Sequence, residues 1–240
     1  MYLIKNFFFS FFLYLSSFNV FSQNYIELNK LAYEQIEKGN LDSGLYFVNI
    51  AIQKDSTFFG SYYNRGIIYR DRGEFKLAIN DFTKSIKYNP LDIDSYMNRG
   101  SSYFKILEFS SAINDFNNVI KIDSLNKAAF FNIGLIQMNL KDYVNAEISF
   151  IKSVQIDLKY DKAIFYLAKI YLLNKNFKES FDKINECILI NDNESEYFEI
   201  RGVLYFIKGD NEKGCKDMKR ANEIGELSPP ALEMLKNKFH

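Results

Sequence analysis

The stretch Tyr63-Asn64-Arg65-Gly66-Ile67-Ile68-Tyr69-Arg70-Asp71-Arg72-Gly73-Glu74-Phe75-Lys76-Leu77-Ala78-Ile79-Asn80-Asp81-Phe82 decides the fold. With Tyr62 before it, the positions Tyr62, Arg65, Gly66 and Tyr69 are related by offsets of three and four, the spacing of one helical stripe. Gly73 marks a turn, and Ala78, Phe82 and Ser85 start a second stripe of the same kind. Pro90 then closes the segment, where a proline ends a helix.

The pattern repeats with a period of 34. Numbering places from Tyr25, Phe59, Ile93, Lys127, Asp161 and Ser195, place 8 is small throughout: Ala32, Gly66, Gly100, Gly134, Ala168 and Gly202. Place 20 is small as well (Gly44, Ala78, Ala112, Ala146, Ser180, Gly214), and place 24 is large and apolar (Val48, Phe82, Phe116, Phe150, Ile184, Met218). Six copies stay in register without insertion, and self-similarity at such a period marks a repeat array. A glycine inside a helix costs roughly 1 kcal/mol against alanine, so its recurrence points to packing. The expectation is that places 8 and 20 meet and let two helices approach, with the side chain at place 24 filling the next gap. No strand periodicity competes, so the chain reads as all-α. Turns fall at Gly39, Gly73 and Gly209, or at Lys141-Asp142 and Lys175-Asn176.

These residues resemble the tetratricopeptide repeat family. The run quoted above carries the resemblance best, followed by Tyr96-Met97-Asn98-Arg99-Gly100 through Ala112-Ile113-Asn114-Asp115-Phe116. Copy one departs at Gln35 and Gly44, and copy five at Ser180 and Ile184. The resemblance implies a right-handed α-solenoid of six 34-residue helix-turn-helix repeats, at 25–58, 59–92, 93–126, 127–160, 161–194 and 195–228. Residues 229–240, after Pro229-Pro230, read as a C-terminal capping helix, which a solenoid needs over its last apolar face.

Arginine at place 7 and aspartate at place 23 occur together in copies two, three and six: Arg65 with Asp81, Arg99 with Asp115, Arg201 with Asp217. The other three copies have neither, which predicts structural ion pairs within each such repeat. An acid–base role is disfavoured, because arginine does not give up its proton usefully.

The resemblance also implies that the first-helix face at places 2, 5, 6, 9, 12 and 13 lines the inside of the superhelix, where partners lie. That face offers Tyr63, Asn64, Ile67, Met97, Asn98, Phe104, Phe131, Asn132, Leu135, Met138 and Phe165 as a peptide-binding groove. Asn64, Asn98 and Asn132 share place 6, and a carboxamide both donates to and accepts from a peptide backbone. Each neutral hydrogen bond contributes only about 0.5–1.5 kcal/mol, so the aromatics would have to carry the affinity. The alternative is that the aromatics pack between repeats. The clamp by which some family members hold a terminal carboxylate is not supported, because places 5 and 9 carry Tyr63/Ile67, Met97/Ser101 and Phe131/Leu135.

The N-terminus differs from the rest. Lys5 followed by Phe7-Phe8-Phe9-Ser10-Phe11-Phe12-Leu13-Tyr14-Leu15 matches a secretory signal peptide over residues 1–22, cut near Ser22. That reading places the mature chain in the periplasm or outside the cell. The alternative is an uncleaved anchor, since the uncharged span approaches the ~20 residues that cross a bilayer, and membrane contact is expected only in that case.

Composition narrows the chemistry. Thirty basic against thirty acidic residues give a formal charge of zero, which offers no field for nucleic acid. The one histidine is the terminal His240, and two cysteines, Cys187 and Cys215, cannot build a four-thiolate metal site. Gly209-Asp210-Asn211-Glu212-Lys213-Gly214 lacks the Lys-Ser/Thr ending and the preceding strand of a phosphate loop, and Asn191-Asp192-Asn193-Glu194 lacks the glycine of a calcium loop. The expectation is no metal, no cofactor and no enzymatic activity. The chain reads as an exported interaction module binding a protein or peptide, with a structural or homo-oligomeric envelope scaffold as the alternative.

Overall fold

The computed structural model describes residues 24–238, with side chains through 233. The signal-peptide segment and His240 lie outside the described residues. Among those described there are thirteen helices and no strand. They run α1 (Tyr25–Glu37), α2 (Leu41–Lys54), α3 (Phe59–Asp71), α4 (Phe75–Tyr88), α5 (Ile93–Lys105), α6 (Phe109–Ile122), α7 (Lys127–Asn139), α8 (Tyr143–Ile156), α9 (Asp161–Leu173), α10 (Phe177–Ile190), α11 (Ser195–Ile207), α12 (Asn211–Ile224) and α13 (Pro229–Lys238). First helices start every 34 residues, and each helix pair packs most closely within itself.

Two compact units divide after Asp123. Of the described residues, 24–123 form the first unit, with repeats one to three, and 124–238 the second, with repeats four to six and α13. Within each unit, every second helix also packs on the first helix of the following repeat.

All six turns between paired helices are built alike. Place 15 sits in the left-handed region at Gly39, Gly73, Leu107, Lys141, Lys175 and Gly209, with φ between 59° and 83°. The next residue's N–H then reaches back to a carbonyl of the last helical turn, as from Asn40 to Gln35 and from Asp142 to Gln137, the hydrogen-bond pattern of a Schellman cap. Three of the six turns hold this conformation without glycine, at a cost of roughly 1–2 kcal/mol each.

The core corrects one expectation. The mid-helix glycine does not chiefly face the small residue at place 20 in repeats two to four. It lies under the phenylalanine at place 24. A Cβ on Gly66 would stand 2.6 Å from the Phe82 ring, one on Gly100 3.0 Å from Phe116, and one on Gly134 2.6 Å from Phe150. Where place 24 carries an aliphatic residue, Val48 or Ile184, place 8 carries alanine, Ala32 or Ala168. In repeats two to four glycine therefore answers the thickness of a ring, whereas in repeat six Gly202 lies against the Gly214 carbonyl oxygen at place 20 and against Met218, both at 3.2 Å. Phe82, Phe116 and Phe150 are fully buried, each stabilising by about 1.5–3 kcal/mol.

Place 27 ties the second helix to the start of the first. Ser85 donates to the Phe59 carbonyl at 3.1 Å, Ser153 to that of Lys127 at 2.9 Å, and the Cys187 thiol to that of Asp161 at 3.5 Å. At the C-terminus Glu199 accepts from the backbone N–H and the hydroxyl of Ser228, both at 2.8 Å, at the entrance to α13. Leu227 and Ala231 then bury against Phe198, Phe206 and Met218, closing the last repeat.

Candidate functional site

The three ion pairs are bidentate. Arg65 Nε and Nη2 donate to Asp81 at 2.7 and 2.9 Å, Arg99 to Asp115 at 2.8 and 2.7 Å, and Arg201 to Asp217 at 2.7 and 2.9 Å. The aspartates are buried, and the Asp81 bond is the chief cause raising the Arg65 guanidinium above its ordinary range. Sequence reasoning missed the third partner. Nη1 of each arginine reaches place 25 of the preceding repeat: Asn49, Thr83 and Asn185 at 2.8, 3.0 and 3.1 Å. Each arginine thus joins its own repeat to the one before it, which makes it a structural clamp.

On the first-helix face of the first unit, hydrogen bonds close the asparagines off. Asn64 is 4% exposed, and its amide donates to the carbonyl and side-chain oxygens of Asn29 at 3.2 and 3.0 Å. This corrects its assignment as a groove contact, because burial against α1 leaves no edge for a peptide. Asn98 donates to the Asp94 carbonyl at 2.8 Å and toward the Tyr63 hydroxyl at 3.4 Å, and accepts from Arg70. Burial pushes the Tyr63 phenol up to about 12. Ile67 and Met97 are half-buried beside this network, and Phe104 turns to Phe109 of its own repeat.

The second unit builds the same face from rings. Phe131 lies 5.7 Å from Phe150, 5.3 Å from Tyr160 and 5.7 Å from Tyr166, and Phe165 lies 4.9 Å from Tyr197. Phe165 is 4% exposed, so it is core between repeats five and six more than groove surface, a second correction. The cluster leaves a cavity of ≈ 280 Å³, whose apolar lining includes Phe131, Leu135, Phe165 and Tyr166, with Lys162, Glu194 and Glu196 also on its wall. Met138 and Asn132 are half-buried on the same helix as Leu135. Lys169 sits over the rings of Phe165 and Tyr166, at 5.1 and 5.2 Å. Burial first, and then the charge of Glu196, raise the Tyr166 phenol.

Tyr166, Lys162, Glu194, Glu196 and Tyr197 were not among the expected groove residues. Tyr166 stands at place 6, where the three preceding repeats have asparagine, and Tyr197 at place 3, where repeats two to five have serine or alanine. Those two departures were the visible signal. Tyr197 spends its hydroxyl on Asp161 at 3.0 Å, which Asn191 also bonds at 3.1 Å.

A larger hollow of ≈ 710 Å³ lies between residues of α11 and α12, around Phe198. Of its lining, Arg201 pairs with Asp217 and Arg220 with Glu223, and Asn211, Glu212, Lys216 and Lys219 also line it. Cys187 and Cys215 are free thiols, and burial pushes Cys187 up to about 12, far from a reactive thiolate. Among the described residues no cluster of three or more metal-ligating side chains forms, and no helix is long and apolar enough to cross a membrane.

Residues 61–91 and 128–160 match two family models, each described as tetratricopeptide repeat. No curated protein matches the sequence. Among solved structures the chain is similar to a tetratricopeptide repeat protein from Parabacteroides merdae, at 23% identity over 90% of this chain and 99% of that one, TM-score 0.67. It is also similar to pilF of Pseudomonas aeruginosa, at 13% identity over 89% and 97%, TM-score 0.77. YrrB, described as a TPR protein with an unusual peptide-binding site, superposes at 17% identity over 79% and 97%, TM-score 0.60. At these identities the likeness speaks for the fold alone. With two family-model matches falling on helix pairs that recur every 34 residues, the chain is a tetratricopeptide-repeat protein, built on a protein–protein interaction module.

Proposed function

We propose that the chain holds an extended peptide segment of a partner protein on the first-helix face of repeats four to six and performs no chemistry of its own. The observation that carries this reading is the ring-lined cavity at Phe131, Leu135, Phe165 and Tyr166, which combines an apolar floor with Lys162, Glu194 and Glu196. Ligand sites are typically apolar concavities with a few polar groups that orient what they hold. The peptide-binding site described for YrrB, on a similar fold, supports the same use. The test is affinity purification with the full chain and with Leu135→Asp, with thermal melts confirming that both fold. A co-purifying polypeptide lost with Leu135→Asp is the expected result. A partner retained by that variant, or turnover of any substrate by the pure chain, overturns the reading.

We further propose export, with cleavage near Ser22, on the signal-like arrangement of Lys5 and the apolar run Phe7 to Leu15. N-terminal sequencing of the chain recovered from cells tests it. A product beginning near Gln23 is expected, whereas an intact Met1 in the membrane fraction favours the anchor.

A further inference from the structure

The outer face of α8 is unlike that of the other second helices. Val144 is 72% exposed, Ile148 48% and Ile151 36%, and the three lie four and three residues apart on one stripe that Gln155 continues. At the same three places the other second helices carry polar side chains, as α4 does with Lys76, Asn80 and Thr83; Tyr46 on α2 is the exception. An exposed aliphatic stripe on an otherwise polar surface marks an interaction site.

The spacing of 144, 148, 151 and 155, in steps of four, three and four, is that of alternating core positions in a two-helix seam. The flanks carry opposite charges. Glu147 precedes Ile148 on one side, and Lys152 follows Ile151 on the other. Five residues separate them, which is the offset at which flanking charges of two parallel helices meet across a seam. An antiparallel pair would instead set Glu147 against Glu147 and Lys152 against Lys152. Both side chains are already steadied by their own chain. The Glu147 carboxylate stands near the Tyr171 phenol, which burial first and then that carboxylate raise, and the Lys152 ammonium stands 5.5 Å from the centre of the Phe130 ring.

We propose that α8 is a self-association surface, on which a second copy of this chain packs its own α8 in parallel, pairing Val144, Ile148 and Ile151 with their equivalents and Glu147 with Lys152 of the other copy. A parallel pair of identical helices is related by a twofold axis, so the contact closes on itself as a dimer. Three aliphatic side chains per copy form a seam well below a standard interface, so the association is weak and depends on concentration. The surface is separate from the cavity proposed for the partner, and neither proposal needs the other.

Sedimentation equilibrium of the full chain up to about 1 mM tests this, at an affinity range typical of small interfaces. The expected result is a mass rising from one chain to two, and a single-chain mass for Ile148→Asp, with melting curves showing that the variant folds. The charge pair provides the discriminating readout. Glu147→Lys weakens association about tenfold through facing lysines, and Glu147→Lys combined with Lys152→Glu restores it to within about threefold. A monomer at every concentration overturns the proposal. So does association that Ile148→Asp leaves unchanged, or a double swap that does not restore it.

Discussion

The first helices of the two units use one face in opposite ways. In the first unit, place 6 carries Asn64 and Asn98, and their amides are spent on Asn29, Asp94 and Tyr63. In the second unit the place passes from Asn132 to Tyr166 and Ile200, and rings replace the hydrogen bonds. A polar place that satisfies itself becomes a joint, whereas an aromatic place that stacks only on its neighbours leaves shaped apolar space. The difference teaches that a shared backbone sets where a groove lies, and a single place in the repeat sets whether it is open.

The first unit also holds two of the three arginine clamps, and removing one is the hardest test of its rigidity. Arg65→Ala leaves Asp81 buried and unpaired and severs the bond to Asn49. The expected loss is about 3–5 kcal/mol in chemical denaturation. Gly66→Ala comes next, at about 1–3 kcal/mol, because the added methyl meets the buried Phe82 ring at 2.6 Å. Its counterpart in repeat six, Gly202→Ala, meets the Gly214 carbonyl oxygen and the Met218 side chain, both at 3.2 Å, and is expected to cost less than Gly66→Ala. Equal costs for the two would sink the ring-thickness account of the glycines.

Tyr166→Asn carries the first unit's choice into the second. The stacks on Phe131 and Phe150 are lost, with an expected cost of roughly 1–2 kcal/mol and loss of the co-purifying partner. Retention of the partner would show that the open cavity is not the binding surface. Lys141→Gly acts in the opposite direction. Its backbone already sits at φ 59°, so glycine relieves strain and stabilises by up to about 1 kcal/mol, read as a rise in Tm.

The smallest effect is absent at neutral pH. Cys187 is raised from 9.0 to about 12 by burial, and Tyr63 from 10.0 to about 12. Both hold their protons more tightly folded than unfolded, so the stability they contribute is complete below pH 9 and is lost as pH climbs toward 12. Cys187→Ser keeps a donor for the Asp161 carbonyl, as Ser85 and Ser153 do for theirs, and should flatten the decline that starts near pH 9. An unchanged alkaline profile would refute the assignment to Cys187.

How much of this was legible in the sequence follows from how far each interaction reaches. The helix pairs and the Arg65–Asp81 type of bond lie within one period, where 3.6-residue periodicity and co-occurrence report them directly. The bond from Arg65 to Asn49, the burial of Asn64 against α1 and the burial of Phe165 under Tyr197 lie between periods. They depend on the rotation from one repeat to the next, which no spacing along the chain encodes. The meeting of places 8 and 20 holds for Gly202 with Gly214 and for Ala32 with Gly44, but in repeats two to four the ring at place 24 comes between, because a helical wheel gives direction and not depth. The cavity was half legible: Phe131, Leu135 and Phe165 by place, Tyr166 and Tyr197 only as breaks in the pattern.

The clamps and place-27 bonds have a kinetic consequence. Even the bond from Tyr197 to Asp161, which reaches from one repeat into the next, spans only 36 residues. A fold secured at such short sequence separation has low contact order, and chains of that kind close their loops early and fold fast. Within each unit folding can therefore advance in steps of one repeat, and where an arginine is present, at Arg65, Arg99 and Arg201, it fastens its repeat onto the one already in place.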